Sequence, residues 1–319
     1  MKVLVTGCQG AMGSYMGEYL RSVDPNMKIW GIGRRSEKGH WKFNLKVLDL
    51  LDDKKLSNFI CEHTFDQIYH FASNPDVALS FFHPKEFLHN NILSTANLFG
   101  AVHEHSKNTR IILASTSEVY GTCLNGQPID EEAPLSPANP YAVSKTCQDL
   151  LGRMYVESVG MDIVRIRMFS YFNPRRANIV ASMFARKIAH IERNGGILTH
   201  GNLASMRTFV DIDDACKAYW LAGKHGQIGE AYNVGSTEPV SIGEILTAMM
   251  KQATCPIEAQ LDEHLLRPTD PIAQIPIVTK FHKDTHWEPT VPMDVSIMKT
   301  LNYWRKKFDE GSLYHDAYK

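Results

Sequence analysis

The segment from Ala114 to Lys145 decides the reading: it opens as ASTSEVYG (residues 114–121) and closes as PYAVSK (residues 140–145). Tyr141 and Lys145 stand four positions apart just after Pro140, so a helix beginning there puts both side chains on one face, one turn apart. Tyrosine, with an ordinary pKa of about 10, is a poor base at neutral pH, and an ammonium held beside it favours the phenolate. Tyr141 is therefore a candidate acid/base. A second Tyr-x-x-x-Lys, Tyr303 with Lys307, reads as a solvated helix face. Context separates the two. The first pair follows the strand-like run RIILAS, which ends in Ser115, Thr116, Ser117 and Glu118, and an open α/β sheet gathers its ligand groups at such strand ends.

The chain has 319 residues, 44% of them hydrophobic, enough for one large core or two modest ones. A net charge of -1 without a long basic block argues against nucleic acid as a partner. No apolar run reaches membrane-spanning length, and the sequence begins with a strand rather than a signal peptide, so a cytoplasmic protein is expected. The six cysteines (Cys8, Cys61, Cys123, Cys147, Cys216, Cys255) are scattered without a CxxC, which predicts reduced thiols and no zinc site. The histidines include HEH at 103–105, read as surface residues rather than metal ligands.

At the N-terminus, KVLVTG leads into CQGAMGSYMGEYL with Met12, Met16 and Leu20 inward: strand, tight turn, helix. Gly7, Gly10 and Gly13 permit a sharp bend and a close approach of a pyrophosphate to the helix N-terminus, where free N–H groups and the dipole favour negative charge. Ala11 and Met12 lie in the same turn. The GxxGxxG spacing makes the turn one residue longer than GxGxxG. The second strand, KIWGIG, ends in Arg34 and Arg35; arginine there accommodates a 2'-phosphate, so NADP is expected over NAD. KVLDLLD gives a third strand ending at Asp49, which with Leu50 is placed to meet the adenine edge. QIYHFAS is the fourth, and Phe71, Ala72 and Ser73 at its end fall near the ribose or nicotinamide.

Alternation of β and α segments through residue 167, including a long helix at 84–106 with a buried polar anchor at Asn91 beside the fifth strand, predicts a doubly wound parallel sheet. MDIVRIRMF is the sixth strand. The rhythm then breaks at SYFNPRRAN, before a helix from about residue 180 to 193. RTFVD and the helix DDACKAYWLAG are expected to return to the main sheet, and EAYNVG to add an edge.

These residues together resemble the extended short-chain dehydrogenase/reductase family, over nearly the whole chain: TGCQGAMG, ASTSEVYG, PYAVSK, RMFSYFNPRR, GNLASMRTFVDIDDACKAYW, YNVGS and LLRPTD with a later WEP. Within it they look most like the nucleotide-sugar enzymes around GDP-mannose 4,6-dehydratase and GDP-6-deoxy-4-keto-hexose reductase. The resemblance implies a Rossmann domain (1–167 plus about 208–235) and a smaller C-terminal α/β lobe (168–207 and 236–319) that holds a nucleotide-diphosphate sugar, GDP-linked by the nearest branch. It implies a catalytic set of Thr116, Tyr141 and Lys145, with Tyr141 transferring the proton at the sugar hydroxyl, Thr116 bonding the same oxygen and Lys145 holding the nicotinamide ribose. Glu118 occupies the place of the dehydratases' carboxylate, the base that takes the C5 proton; two residues from Thr116 along a strand, it would share that residue's face. Related decarboxylases and some reductases also have glutamate there. Ser170 replaces the usual asparagine of an RPFN-like motif, leaving Asn173 three residues on. Ser117, Ser170, Asn173 and Arg176 are the implied sugar contacts, and Arg207 and Arg267 the implied diphosphate clamps. In enzymes of this kind helices 84–106 and 140–158 pair with their twins, so a homodimer or homotetramer is expected. The leading expectation is an NADP-dependent 4,6-dehydratase; an NADPH-consuming reductase and a non-catalytic NADP-binding regulator are the alternatives.

Overall fold

The computed structural model describes residues 1–121, 126–266 and 272–311. Its main sheet contains β1 (Lys2–Thr6), β2 (Lys28–Gly33), β3 (Asn44–Val47), β4 (Gln67–His70), β5 (Arg110–Thr116), β6 (Ile163–Met168) and β9 (Ala231–Val234). The order is β3-β2-β1-β4-β5-β6-β9, with every pairing parallel. This is the doubly wound order, which reverses direction beside β1 and leaves a crevice at the carboxyl ends of the strands. The connections carry α1 (Ala11–Val23), α2 (Asp53–Glu62), α3 (Val77–Phe82), α4 (Pro84–His105), α5 (Pro140–Val159), α6 (Val180–Asn194) and α7 (Ile212–His225).

Period-two alternation sorts the strand side chains between two cores. On β1, Val3 and Val5 join Met16 and Leu20 of α1 and Ala215 and Ala218 of α7. Leu4 points the other way, to Leu56 and Phe59 of α2 and Leu98 and Phe99 of α4. Both faces of the sheet are thus covered, as a parallel sheet requires.

A third core lies apart. Phe184 and Ile188 of α6 pack with Ile245 and Met249 of α8 (Ile242–Lys251) and Leu301 and Trp304 of α10 (Met293–Asp309). Around it sit a sheet of β10 (Pro239–Ser241), β8 (Met206–Thr208) and β12 (Ala273–Gln274), and a pair of β11 (Ala259–Leu261) with β7 (Leu198–His200). The remaining helix, α9 (Thr279–Thr285), precedes Trp287, whose indole donates to the Asp214 carbonyl on α7 at 3.0 Å.

Three expectations need correction. The RTFVD strand does not rejoin the main sheet: β8 pairs with β10 and β12. The third strand stops at Val47, opposite Gly33 where its partner β2 ends, and Asp49 beyond it lies in a turn, accepting from the Leu51 N–H at 3.0 Å. Tyr303 and Lys307 are both only partly exposed, with the tyrosine packed against the third core and the ammonium 5.9 Å above its ring.

Candidate active site

The glycine turn is shaped by contact as well as by flexibility. Gly7 has φ of +64°, and a Cβ there would lie 2.9 Å from the backbone of Ala72 at the end of β4. At Gly13 a Cβ would lie 2.4 Å from the Gly7 carbonyl oxygen. Gly10 is the N-cap of α1, which has no side-chain cap and no acidic residue in its first turn. The helix therefore presents its positive end without an internal anion, the arrangement that suits a diphosphate. Just past β2, Arg34 and Arg35 are exposed, and Gln9 of the glycine turn holds their loop by accepting from Arg35 N at 3.1 Å and donating to Arg35 O at 2.8 Å. Phe71, Ala72 and Ser73 follow β4 directly, with Ala72 N donating to Thr6 Oγ1 at 3.2 Å. Leu50 is buried, and its carbonyl accepts from Asn97 at 2.9 Å.

The neighbouring strand end and helix bring the reactive groups together. Pro140 starts α5 and Asn139 caps it, accepting from Ala142 N at 2.7 Å. The first turn carries Tyr141, and the Thr116 side chain at the end of β5 acts to lower the pKa of its phenol. One turn on, Lys145 donates to the Ala114 carbonyl at 2.5 Å. Burial pushes the Tyr141 phenol up to about 12, against the lowering influence of Arg176 and the further raising influence of Glu118. Burial also brings the Lys145 ammonium down to about 7, with Asp149 opposing it. Lys145 thus turns its ammonium to the Ala114 carbonyl on β5, and Arg176 is the foremost cation acting on Tyr141.

Glu118 is beside this pair, though not by strand alternation as expected. β5 ends at Thr116, and Ser117–Tyr120 form a 3₁₀ turn in which Thr116 Oγ1 accepts from Glu118 N at 3.3 Å. The carboxylate is then held by Asn139, which donates its Nδ2 to Glu118 Oε2 at 3.0 Å. One asparagine therefore ties the carboxylate to the helix that bears the tyrosine. Sequence reasoning passed over it; its place before Pro140, where a cap belongs, is the available signal.

The expected sugar contacts divide. Arg176 donates to the Pro75 carbonyl at 2.8 Å, so the loop after β6 reaches the loop after β4. Ser117 is buried and bonds Gln274 of β12 at 3.3 Å. Ser170 gives its carbonyl to Val210 N at 3.2 Å. Asn173 is fully buried, with its Oδ1 accepting from Arg175 N at 3.1 Å, so it shapes the loop rather than lining an open surface. Arg207 lies on β8 opposite Val240 and Gln274, while Arg267 lies outside the described residues. Close to β8, a cavity of about 460 Å³ is lined by His200, Asn202, Leu203, Leu261 and Leu266, among others.

Beneath the site runs a buried ionic cluster that sequence reasoning missed. Asp149 of α5 accepts from Ser115 at 2.7 Å, from Arg165 at 2.7 Å and from Arg167 at 3.0 and 3.1 Å. Arg167 also donates to the Tyr120 hydroxyl, which donates to Asn233 on β9 at 2.7 Å. On the other side, Asn91 of α4 accepts from Asn74 N at 2.7 Å and donates to Ser144 of α5 at 2.8 Å, so it anchors the β4 loop and α5 rather than β5. Among the described residues no cluster of His, Cys, Asp or Glu fits a metal ion, and no helix is long and apolar enough to cross a membrane. Five cysteines are free thiols; Cys123 falls outside the described residues.

The sequence model of GDP-mannose 4,6 dehydratase matches residues 4–300. The human dTDP-D-glucose 4,6-dehydratase is 28% identical, covering 96% of this chain and 91% of that protein. The GDP-6-deoxy-D-mannose reductase of Pseudomonas aeruginosa is 26% identical, covering 97% of this chain and 99% of that one. Among solved structures, RMD from Pseudomonas aeruginosa complexed with NADPH superposes with a TM-score of 0.84 at 25% identity, covering 96% of this chain and 99% of that chain. With strand order, glycine turn and the Thr116–Tyr141 contact already in place, the match across almost the full length decides the affiliation: the chain belongs to the GDP-mannose 4,6 dehydratase family of the extended short-chain dehydrogenase/reductases.

Proposed function

We propose that the protein is an NADP-dependent nucleotide-sugar 4,6-dehydratase acting on a GDP-mannose-like substrate. The observation that carries this reading is Glu118, a carboxylate fixed by Asn139 beside the Thr116–Tyr141 pair. In it Tyr141 moves the proton at the C4 hydroxyl, Thr116 bonds the same oxygen, Lys145 holds the nicotinamide ribose and Glu118 takes the C5 proton. A bound nicotinamide dinucleotide would take the hydride from C4 and return it to C6 once the C5 proton and the C6 hydroxyl have left as water, C5 then regaining a proton. Gly7, Gly10, Ala11, Met12 and Gly13 hold its diphosphate; Asp49, Leu50 and Phe71 to Ser73 line its adenosine and ribose. Incubation with a panel of nucleotide sugars, followed by mass spectrometry and cofactor absorbance, tests the reading. A 4-keto-6-deoxy product without net change in cofactor is expected. Consumption of NADPH by a 4-keto sugar would instead establish the reductase, the second reading, favoured by the near end-to-end match to the Pseudomonas aeruginosa reductase.

The preference for NADP rests on Arg34 and Arg35, since a guanidinium bonds a phosphate through two charge-assisted contacts. Calorimetry should give tighter binding of NADP than NAD; equal affinity would remove the 2'-phosphate from this loop. We assign the nucleotide to the lobe formed by residues 168–207 and 236–319. Arg207 is placed on its diphosphate, and the base in the cavity between Leu203 and Leu266. Arg207→Ala should weaken substrate binding about tenfold or more, the loss of roughly 1.5–3 kcal/mol expected for a charged hydrogen bond. Unchanged substrate affinity would take Arg207 out of the site.

A cytoplasmic homodimer, alone or doubled into a tetramer, completes the proposal. Val143, Leu150 and Met154 leave an apolar stripe exposed along α5, and Leu93 another on α4. Light scattering at micromolar concentration should return at least twice the 36.0 kDa chain mass, and a monomer would contradict the pairing.

A further inference from the structure

We propose that Asp149 is a positioning residue of the active site: it fixes the catalytic end of β5 through Ser115, and it sustains the positive charge of Lys145. The inference rests on the catalytic reading of Tyr141 and Lys145 given above. Asp149 is 0% exposed and stands four residues after Lys145 on α5, so both side chains lie on the face turned to β5. Its two oxygens are fully engaged by Ser115, Arg165 and Arg167. Ser115 stands between Ala114, whose carbonyl accepts from Lys145, and Thr116, whose side chain acts on the Tyr141 phenol. The Ser115–Asp149 bond therefore crosses from helix to strand at the residue where displacement would move both catalytic contacts together.

A merely structural cluster would not need this charge. Burying a carboxylate with two guanidinium groups is no gain in stability over well-packed apolar side chains. Here the carboxylate opposes the burial that drives the proton off Lys145. The groups around that ammonium bear this out. On its own helix are Tyr141 and Asp149. β4 offers His70, held between Thr6 and Thr95 and brought down to about 3 by burial and by Lys145, so it is neutral. β6 offers Arg165 and Arg167, both paired with Asp149, while Glu118 of the turn after β5, Arg176 of the loop after β6 and the buried phenol of Tyr219 on α7 lie with Tyr141. α3 and α4 turn uncharged Ser80, Asn91 and Thr95 inward. Asp149 is thus the anion that acts on Lys145 against burial, and with its help the amine stands at about 7.

The test reads the lysine directly. Protein labelled with ¹³C at lysine Cε is titrated by NMR, with the Lys145 signal identified by its loss in Lys145→Arg. Asp149→Asn should lower the Lys145 midpoint by about one pH unit or more, because it removes an anion and uncovers two cations. Arg165→Gln should raise it, because one cation leaves while the carboxylate keeps Arg167 and Ser115. Midpoints unmoved in both variants overturn the electrostatic half of the proposal. Should Asp149→Asn not fold, Arg165→Gln decides alone, and an unmoved or lowered midpoint overturns it. Asp149→Glu should restore the wild-type midpoint. Ser115→Ala removes the tie to the strand but not the charge; kcat should fall about tenfold with KM and the Lys145 midpoint unchanged, and an unchanged kcat overturns the positioning half. The NMR measurements need no substrate, so failure of the dehydratase reading leaves them decisive.

Discussion

Replacing Glu118 with glutamine should abolish the 4-keto-6-deoxy product while leaving the first oxidation intact. Once C4 is a ketone, the C5 proton becomes acidic, because the carbanion left behind is delocalised into the carbonyl. A base is then required beside C5. Glu118 is the carboxylate that the 3₁₀ turn sets next to Thr116, and the Asn139 amide keeps it from swinging away. Its amide replacement preserves shape but cannot accept the proton, and general base catalysis of this kind is worth roughly 10²- to 10⁴-fold. The measurement is a stopped-flow trace with excess enzyme. In Glu118→Gln, reduced-cofactor absorbance should rise and persist, and deuterium from solvent should enter C5 only with the native enzyme. Product formed by the variant at more than a tenth of the wild-type rate would shift the assignment to the reductase, which needs Tyr141 but no base at C5.

The parts of this site that were legible in the sequence are those whose geometry is local. Gly7 to Gly13 announce a turn because the backbone there must bend sharply at a helix start, and the Tyr141–Lys145 spacing follows from helical pitch. Adjacency between chemistry-bearing segments was harder to read. Glu118 was placed correctly near Thr116 for the wrong reason, because strand alternation was extended past the residue where β5 ends and a tight turn begins. The same limit hid Asp149, Arg165 and Arg167. Arg165 and Arg167 alternate with apolar residues on a strand buried along its whole length, and only the register of β6 against β5 brings them to a helix residue 16 and 18 positions earlier. Pairings of short strands were equally opaque: β8 carries three residues and takes its partners from segments beyond residue 238.

The second large effect belongs to Tyr141, and its signature is in the pH dependence. A phenol raised to about 12 by burial is protonated at neutral pH, so little of the base form is present in the unliganded site. The rate of C4 oxidation should therefore climb as pH rises, as the phenolate fraction grows. Arg176 is the foremost group that opposes burial, so Arg176→Met should raise the phenol further and displace the rising limb to higher pH, by roughly one unit for the loss of a nearby cation. That variant should be slow at neutral pH and recover in alkali. Tyr141→Phe has no phenolate to recover: kcat should fall roughly 10²- to 10⁴-fold at every pH, with the limb gone and the KM for the nucleotide sugar little changed. Retention of kcat within tenfold by Tyr141→Phe would pass the proton to another group. Retention of the wild-type limb by Arg176→Met would show that the guanidinium tied to the Pro75 carbonyl serves the loop and not the tyrosine.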